Sequence, residues 1–206
     1  MKMRTFFLII LFTLGSSLIS CFYDDTCDPV QPHFKILGIE LTNMRYTGRS
    51  DEFPWKVMNE TVPIEWENHF IRIGFEVEYI ANHQAATGSS LMALSCVPAG
   101  YRGDKVGVDS ISVTTLFDIN ENYPAGSIIN EITEINIRTS EPEDFEEFVP
   151  ISSYIDENEE GVLFNGFELK INEAPFDDVR FAVEVIYTLN NGEKFTARSS
   201  EIMMKI

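Results

Sequence analysis

Ile71, Ile73, Phe75, Val77 and Tyr79 alternate with Arg72, Gly74, Glu76 and Glu78, which predicts a strand with one dry face and one wet face. Phe181, Val183, Val185, Tyr187 and Leu189 repeat the pattern. Asn190-Asn191-Gly192 then predicts a hairpin turn, because Asn and Gly tolerate positive φ, and Phe195 and Ala197 open a return strand toward the C-terminus. Shorter strands are expected through Leu37, Ile39 and Leu41, through Ile111, Val113, Thr115 and Phe117, through Ile135 and Ile137, and through Phe167, Leu169 and Ile171. The apolar run Leu91 to Val97 reads as a buried strand, and residues 43–68, with Gly48, Pro54, Trp55, Pro63 and Trp66, as a long irregular stretch. One short helix is expected within 140–156. Ser140 and Glu143 have the spacing of a capping box, Pro142 fits a first turn, and Phe145, Phe148 and Val149 follow at helical spacing up to Pro150. About seven to nine strands with one-sided alternation predict a mainly β fold, an antiparallel, immunoglobulin-like β-sandwich with one short helix.

The first 20 residues follow a different rule. Lys2 and Arg4 precede an apolar run from Phe6 to Leu14, and Gly15, Ser16 and Ser17 follow. This is the order of a secretory signal, and its apolar part is too short for a permanent membrane span. Leu18-Ile19-Ser20-Cys21 resembles the lipobox of bacterial lipoproteins, with a bulkier residue than usual at Ile19. The resemblance implies cleavage before Cys21 and lipid on its thiol. Two or three acyl chains, each contributing about 0.8 kcal/mol per buried methylene, would hold the protein stably. The expected organisation is a signal peptide at 1–20, a lipidated acidic tether at 21–32 with Asp24, Asp25, Pro29 and Pro32, and one β-sandwich domain at 33–206.

Charge narrows the partners. Losing Lys2 and Arg4 with the signal takes the 15 Lys and Arg to 13 against 33 Asp and Glu, and the net charge from −18 to −20. Such a surface repels phosphate backbones, so no nucleic-acid partner is expected. It repels anionic lipid surfaces too, so the expected membrane link is the lipid on Cys21 alone. Of the three cysteines, lipidation uses one and leaves Cys27 and Cys96. In an oxidising compartment that pair favours a disulfide, the alternative being two buried thiols. Closing a loop of that length would contribute about 4 kcal/mol in the chain-entropy view.

Several constellations have both a chemical and a structural reading. Asp118, Asn120 and Asn122 are spaced like the start of a calcium loop, but Tyr123 and Ile129 stand where that loop needs Gly and Glu, which favours a polar turn. Glu141, Glu143, Asp144, Glu146 and Glu147 could do acid–base work, yet read better as a solvated helix face. Asp156, Glu157, Glu159 and Glu160 read as an exposed acidic loop. Trp55 and Trp66 could stack on sugars, but core packing is the favoured reading. His33, His69 and His83 are scattered, with no ligand spacing near a Cys, so no metal site is expected. No nucleophile elbow and no phosphate-binding Gly-rich loop occur, so no catalytic residue and no cofactor is expected.

A middle segment resembles a family. It contains Ser95-Cys96-Val97-Pro98-Ala99-Gly100-Tyr101, then Val108 to Val113, then Phe117-Asp118-Ile119-Asn120 and Tyr123-Pro124-Ala125-Gly126-Ser127. This order is similar to that of a family of Bacteroidota cell-envelope lipoproteins of unknown function. The resemblance implies an outer-membrane location and no catalytic residues. Asp24 and Asp25, just after Cys21, resemble a surface-export signal and lean toward the cell exterior. The expected function is a non-catalytic binding or structural module of the envelope, with a glycan or an envelope protein as partner. The competing class is an envelope hydrolase whose site is built from dispersed carboxylates.

Overall fold

A computed structural model describes residues 33–47, 55–58, 62–80, 103–136 and 148–206. In chain order these form β1 (His33–Tyr46), β2 (Trp55–Val57), β3 (Ile64–Glu65), β4 (His69–Ile80), β5 (Val108–Thr115), β6 (Thr133–Asn136), β7 (Val149–Pro150), α1 (Ile151–Glu157), β8 (Gly166–Ile171), β9 (Val179–Phe181), β10 (Val183–Leu189), β11 (Lys194–Arg198) and β12 (Ile202–Lys205). Six strands make one antiparallel sheet in the order β2-β1-β4-β8-β6-β7. Two three-stranded sheets, β11-β10-β5 and β3-β12-β9, supply the opposing layer. Among the described residues only β3 and β12 pair in parallel. The mainly β, antiparallel sandwich with one short helix is therefore the architecture of the described residues.

The two smaller sheets share one long hairpin. β9 and β10 are separated by Ala182, and β11 and β12 by residues 199–201. At that break, Ser199 donates its N–H to the Val183 carbonyl at 2.9 Å, and Val183 donates back to Ser199 Oγ at 3.0 Å. The return strand thus does run to the C-terminus, interrupted where the sheet turns. The turn at 190–193 also forms, with Gly192 at φ 86 and its N–H on the Leu189 carbonyl at 2.8 Å.

Alternation tracks burial in the two best-patterned strands. Phe181, Val183, Val185, Tyr187 and Leu189 are all buried, as are Ile71, Ile73 and Phe75, whereas Tyr79 is exposed at the end of β4. Across the layers, Phe75 lies 5.2 Å from Tyr187; within its own sheet it lies 5.9 Å from Phe167, and Tyr154 of α1 lies 4.8 Å from Phe167, ring centre to ring centre. Aromatic packing of this kind contributes beyond its area alone.

β1 departs from the expected pattern. Leu37 is 53% exposed, although it heads the series Leu37, Ile39, Leu41. The register against β4 slips by one between Ile36 and Gly38, so Leu37 is the extra residue of a β-bulge. Before the bulge even-numbered residues face inward (Phe34, Ile36), and after it odd-numbered ones do (Ile39, Leu41). One inserted residue thus exchanges the faces of everything beyond it.

The loop before β5 supports this irregular strand. The Phe34 N–H reaches the Gly103 carbonyl at 3.0 Å, and the Ile36 N–H reaches Asp104 Oδ2 at 2.9 Å. Asp104 is 6% exposed, and its Oδ1 accepts the Val106 N–H at 2.9 Å. Asp104 and Val162 exchange both backbone hydrogen bonds at 2.8 Å. Gly103, at φ 61, lies so close to this neighbour that a Cβ would sit 1.8 Å from the Val162 carbonyl oxygen.

Three further expectations need correction. Residues 43–68 are not one irregular stretch: they hold the end of β1, then β2, β3 and a single 3-10 turn at Trp66–Asn68. β5 stops at Thr115, leaving Phe117 half-buried beyond it. A helix does form within 140–156, but it follows Pro150, and Phe148 and Val149 are not helical; the rest of the expected helix, 140–147, lies outside the described residues. Pro150 flanks α1 at φ −55, where a missing N–H leaves no bond unmade, and Ile151 and Tyr154 point into the core. The predicted cap at Ser140 and Glu143 lies outside the described residues, as do Cys21, Cys27, Cys96, His83 and the run from Leu91 to Val97.

Candidate functional site: an acidic groove beside the helix

A 3-10 turn at Asn130–Ile132 leads into β6, and its residues are fixed from behind. Asn130 clasps the edge of β5, accepting the Val113 N–H on Oδ1 at 2.8 Å and donating through Nδ2 to the Ile111 carbonyl at 2.7 Å. Thr133 Oγ1 donates to the Ile129 carbonyl at 2.8 Å. On the other side, β7 brings Pro150 opposite Glu134 and delivers the chain into α1. Between them lies an open groove of about 400 Å³ whose walls include Glu131, Glu134, Pro150, Ser152, Ile155 and Asn172.

Its polar lining combines two carboxylates, which accept, with amide and hydroxyl groups that both donate and accept. Glu134 Oε1 accepts from Asn172 Nδ2 at 3.1 Å, and the Asn172 N–H is held by the Ile132 carbonyl at 2.9 Å. Glu131 Oε1 accepts from the Tyr123 hydroxyl at 2.9 Å. That hydrogen bond raises the Tyr123 pKa, with smaller contributions from partial desolvation and from the charges of Glu131 and Glu173. Among the described residues, neither Lys nor Arg lines the groove. Its lining comes from the 3-10 turn, β6, β7, α1 and the residue after β8, so no local motif announces it.

The structure gives the other candidates structural partners. Asp118 Oδ1 accepts the Ala125 N–H at 2.7 Å. Asn120 Oδ1 accepts the Asn122 and Tyr123 N–H groups at 2.9 and 3.2 Å, while Nδ2 donates to Glu173 at 3.0 Å. These side chains organise a polar turn. Among the described residues, no group of three or more His, Cys, Asp or Glu could hold a metal ion. Asp156, Glu157, Glu159 and Glu160 are exposed, the first two in the last turn of α1 and not in a loop. Trp66 is half-buried and packs against the core, while the Trp55 side chain lies outside the description. The carboxylates from Glu141 to Glu147 lie outside it too.

Two buried polar clusters escaped the sequence reading. His69 is 3% exposed and shares a hydrogen bond of 3.0 Å with Asn43 Oδ1. Asn43 Nδ2 donates to the Ser200 carbonyl and hydroxyl at 2.8 and 3.1 Å, so its Oδ1 must accept, and the His69 proton belongs on Nε2. Burial lowers the His69 pKa to about 3, which keeps the ring neutral. Glu168 is also buried, on the face of the six-stranded sheet away from the core, with Arg72 as its ion-pair partner. Burial raises the Glu168 pKa, and Arg72 opposes the rise. Burial likewise raises the pKa of Tyr154 and Tyr187, whose hydroxyls lie 3.4 Å apart. None of these groups lines the groove.

No protein family matches the chain, and neither does any curated protein. A search of solved structures found the C-terminal domain of the Streptococcus pyogenes antigen I/II-family protein AspA, at 10% identity and a TM-score of 0.27. The match takes in 82% of this chain, which spans about half, 47%, of that one. A likeness this weak assigns neither fold nor function. Among the described residues no helix is long and apolar enough to cross a membrane.

Proposed function

We propose that the chain is an outer-membrane lipoprotein, held by lipid on Cys21, whose β-sandwich serves as a non-catalytic binding or structural module of the envelope. The observation that carries this reading is the uninterrupted order of positive segment, apolar run and Leu18-Ile19-Ser20-Cys21 ahead of an acidic tether. The body fits the role. Its pKa-shifted buried groups are tied to structural partners, and its groove lies outside their reach. A Cys27–Cys96 disulfide belongs to the same reading, since it would pin the tether to the domain and fix the direction in which the domain leaves the membrane.

Membrane fractionation with metabolic labelling tests the proposal. The wild-type chain is expected in the membrane fraction and to incorporate labelled fatty acid, and Cys21→Ala to do neither. Unchanged membrane association of Cys21→Ala would overturn it.

A further inference from the structure

We propose that the groove between β6, β7 and α1 binds a neutral saccharide, with Glu134 and Ser152 as the hydrogen-bonding contacts and Pro150 and Ile155 as the apolar ones. This rests on reading the chain as a binding module and names the ligand class. Four observations lead to it. The groove, at about 400 Å³, lies within the range of small-molecule sites, about 300–1,000 Å³. Among the described residues its charged groups are Glu131 and Glu134, which only accept hydrogen bonds when ionised and so favour a ligand that donates. Anions are repelled both by this pair and by the chain's net charge of −18. Ser152 and Asn172 both donate and accept, a demand that a hydroxyl meets and an ammonium, a pure donor, does not.

The walls are set before any ligand arrives. Asn172 is held by Ile132 and Glu134, and Thr133 and Asn130 are tied to backbone carbonyls, so little ordering is left for binding to supply. Pro150 and Ile155 offer aliphatic surface to the C–H face of a sugar ring, and a carboxylate makes hydroxyl hydrogen bonds stronger than neutral ones.

The test is calorimetric titration of the full-length protein, in a detergent without a sugar headgroup, with neutral hexasaccharides of glucose and mannose in several linkages and with spermine as a cationic probe. At least one neutral hexasaccharide is expected to bind. Glu134→Gln should weaken it about tenfold, the value of one hydrogen bond to a charged group. Ile155→Arg should abolish it, and Glu78→Gln on β4 should leave it unchanged. Should Ile155→Arg fail to give the wild-type circular-dichroism spectrum, Ser152→Tyr at the exposed rim serves as the blocking variant. The proposal is overturned if no neutral hexasaccharide binds at millimolar concentration, if spermine alone binds, or if sugar binding survives both Glu134→Gln and the blocking variant. Membrane fractionation of the same variants separates this failure from failure of the lipoprotein reading, because groove variants leave Cys21 untouched.

Discussion

Arg72 and Glu168 face each other across β4 and β8, and the guanidinium donates through both Nε and Nη2 to a single carboxylate oxygen, Oε1, at 3.0 and 2.7 Å. The second oxygen, Oε2, is buried without a hydrogen-bond partner. The Glu168 side chain is 1% exposed and that of Arg72 39%, so the carboxylate bears most of the desolvation. Removing only Arg72 leaves a buried charge without its counter-ion. Arg72→Leu should therefore cost about 3 kcal/mol in urea unfolding, while the double variant Arg72→Leu/Glu168→Leu should return to within about 1 kcal/mol of wild type. A double variant as unstable as the single one would show that the pair stabilises beyond its charge.

The pH dependence of stability has two opposed parts. For His69 the folded pKa lies below the ordinary 6.5, at about 3. The unfolded chain therefore takes up the proton first. His69's contribution is complete above pH 6.5 and is lost toward pH 3, by up to about 1.4 kcal/mol per unit. Glu168 has a raised pKa, so its contribution is complete below 4.5 and falls as pH rises through the folded value. His69→Gln keeps a donor for Asn43 and cannot titrate, so it should flatten the acid decline. Glu168→Gln should steepen it just above pH 4.5. Urea midpoints measured from pH 4 to 7 check both signs.

Much of this fold is legible where one face of a strand is dry and the other wet. β4 and β10 declare themselves because every second residue is apolar. Leu37 misleads because a bulge is fixed by what pairs with the strand, here β4 on one edge and the loop with Asp104 on the other. Pro150 misleads because a proline suits the start of a helix as well as its end, and Ile151, Tyr154 and Ile155, at i, i+3 and i+4, were the better signal. Glu168 sits between Phe167 and Leu169, so alternation assigns it to the solvated face, and nothing local reveals its burial. The groove is illegible for a related reason: Glu131, Ser152 and Asn172 meet only through the sheet order β8-β6-β7 and the helix that follows.

Asp104 holds the bulge in place by accepting the Ile36 and Val106 N–H groups. Asp104→Ala leaves both donors unanswered in a buried setting and should cost about 2–3 kcal/mol. Hydrogen exchange localises the effect. The Ile36 amide should lose protection far beyond the global change, and equal loss across β10 would contradict a local role.

Two glycines with positive φ should respond differently to alanine. At Gly103 a Cβ collides with the Val162 carbonyl, and at Gly126, φ 86, it meets open space. Gly126→Ala should cost about 1 kcal/mol, from backbone conformation alone. Gly103→Ala should cost at least twice as much or prevent folding, which thermal melts followed by circular dichroism will show.

The anchor is the centre of the account, and the intact mass of the unreduced protein extracted from membranes tests it most directly. The account predicts a chain that begins at Cys21, carries a diacylglyceryl group with or without an additional acyl chain, and is two hydrogens lighter than the reduced form through the Cys27–Cys96 bond. A mass matching an unmodified Cys21, or a chain that keeps residues 1–20, would contradict it.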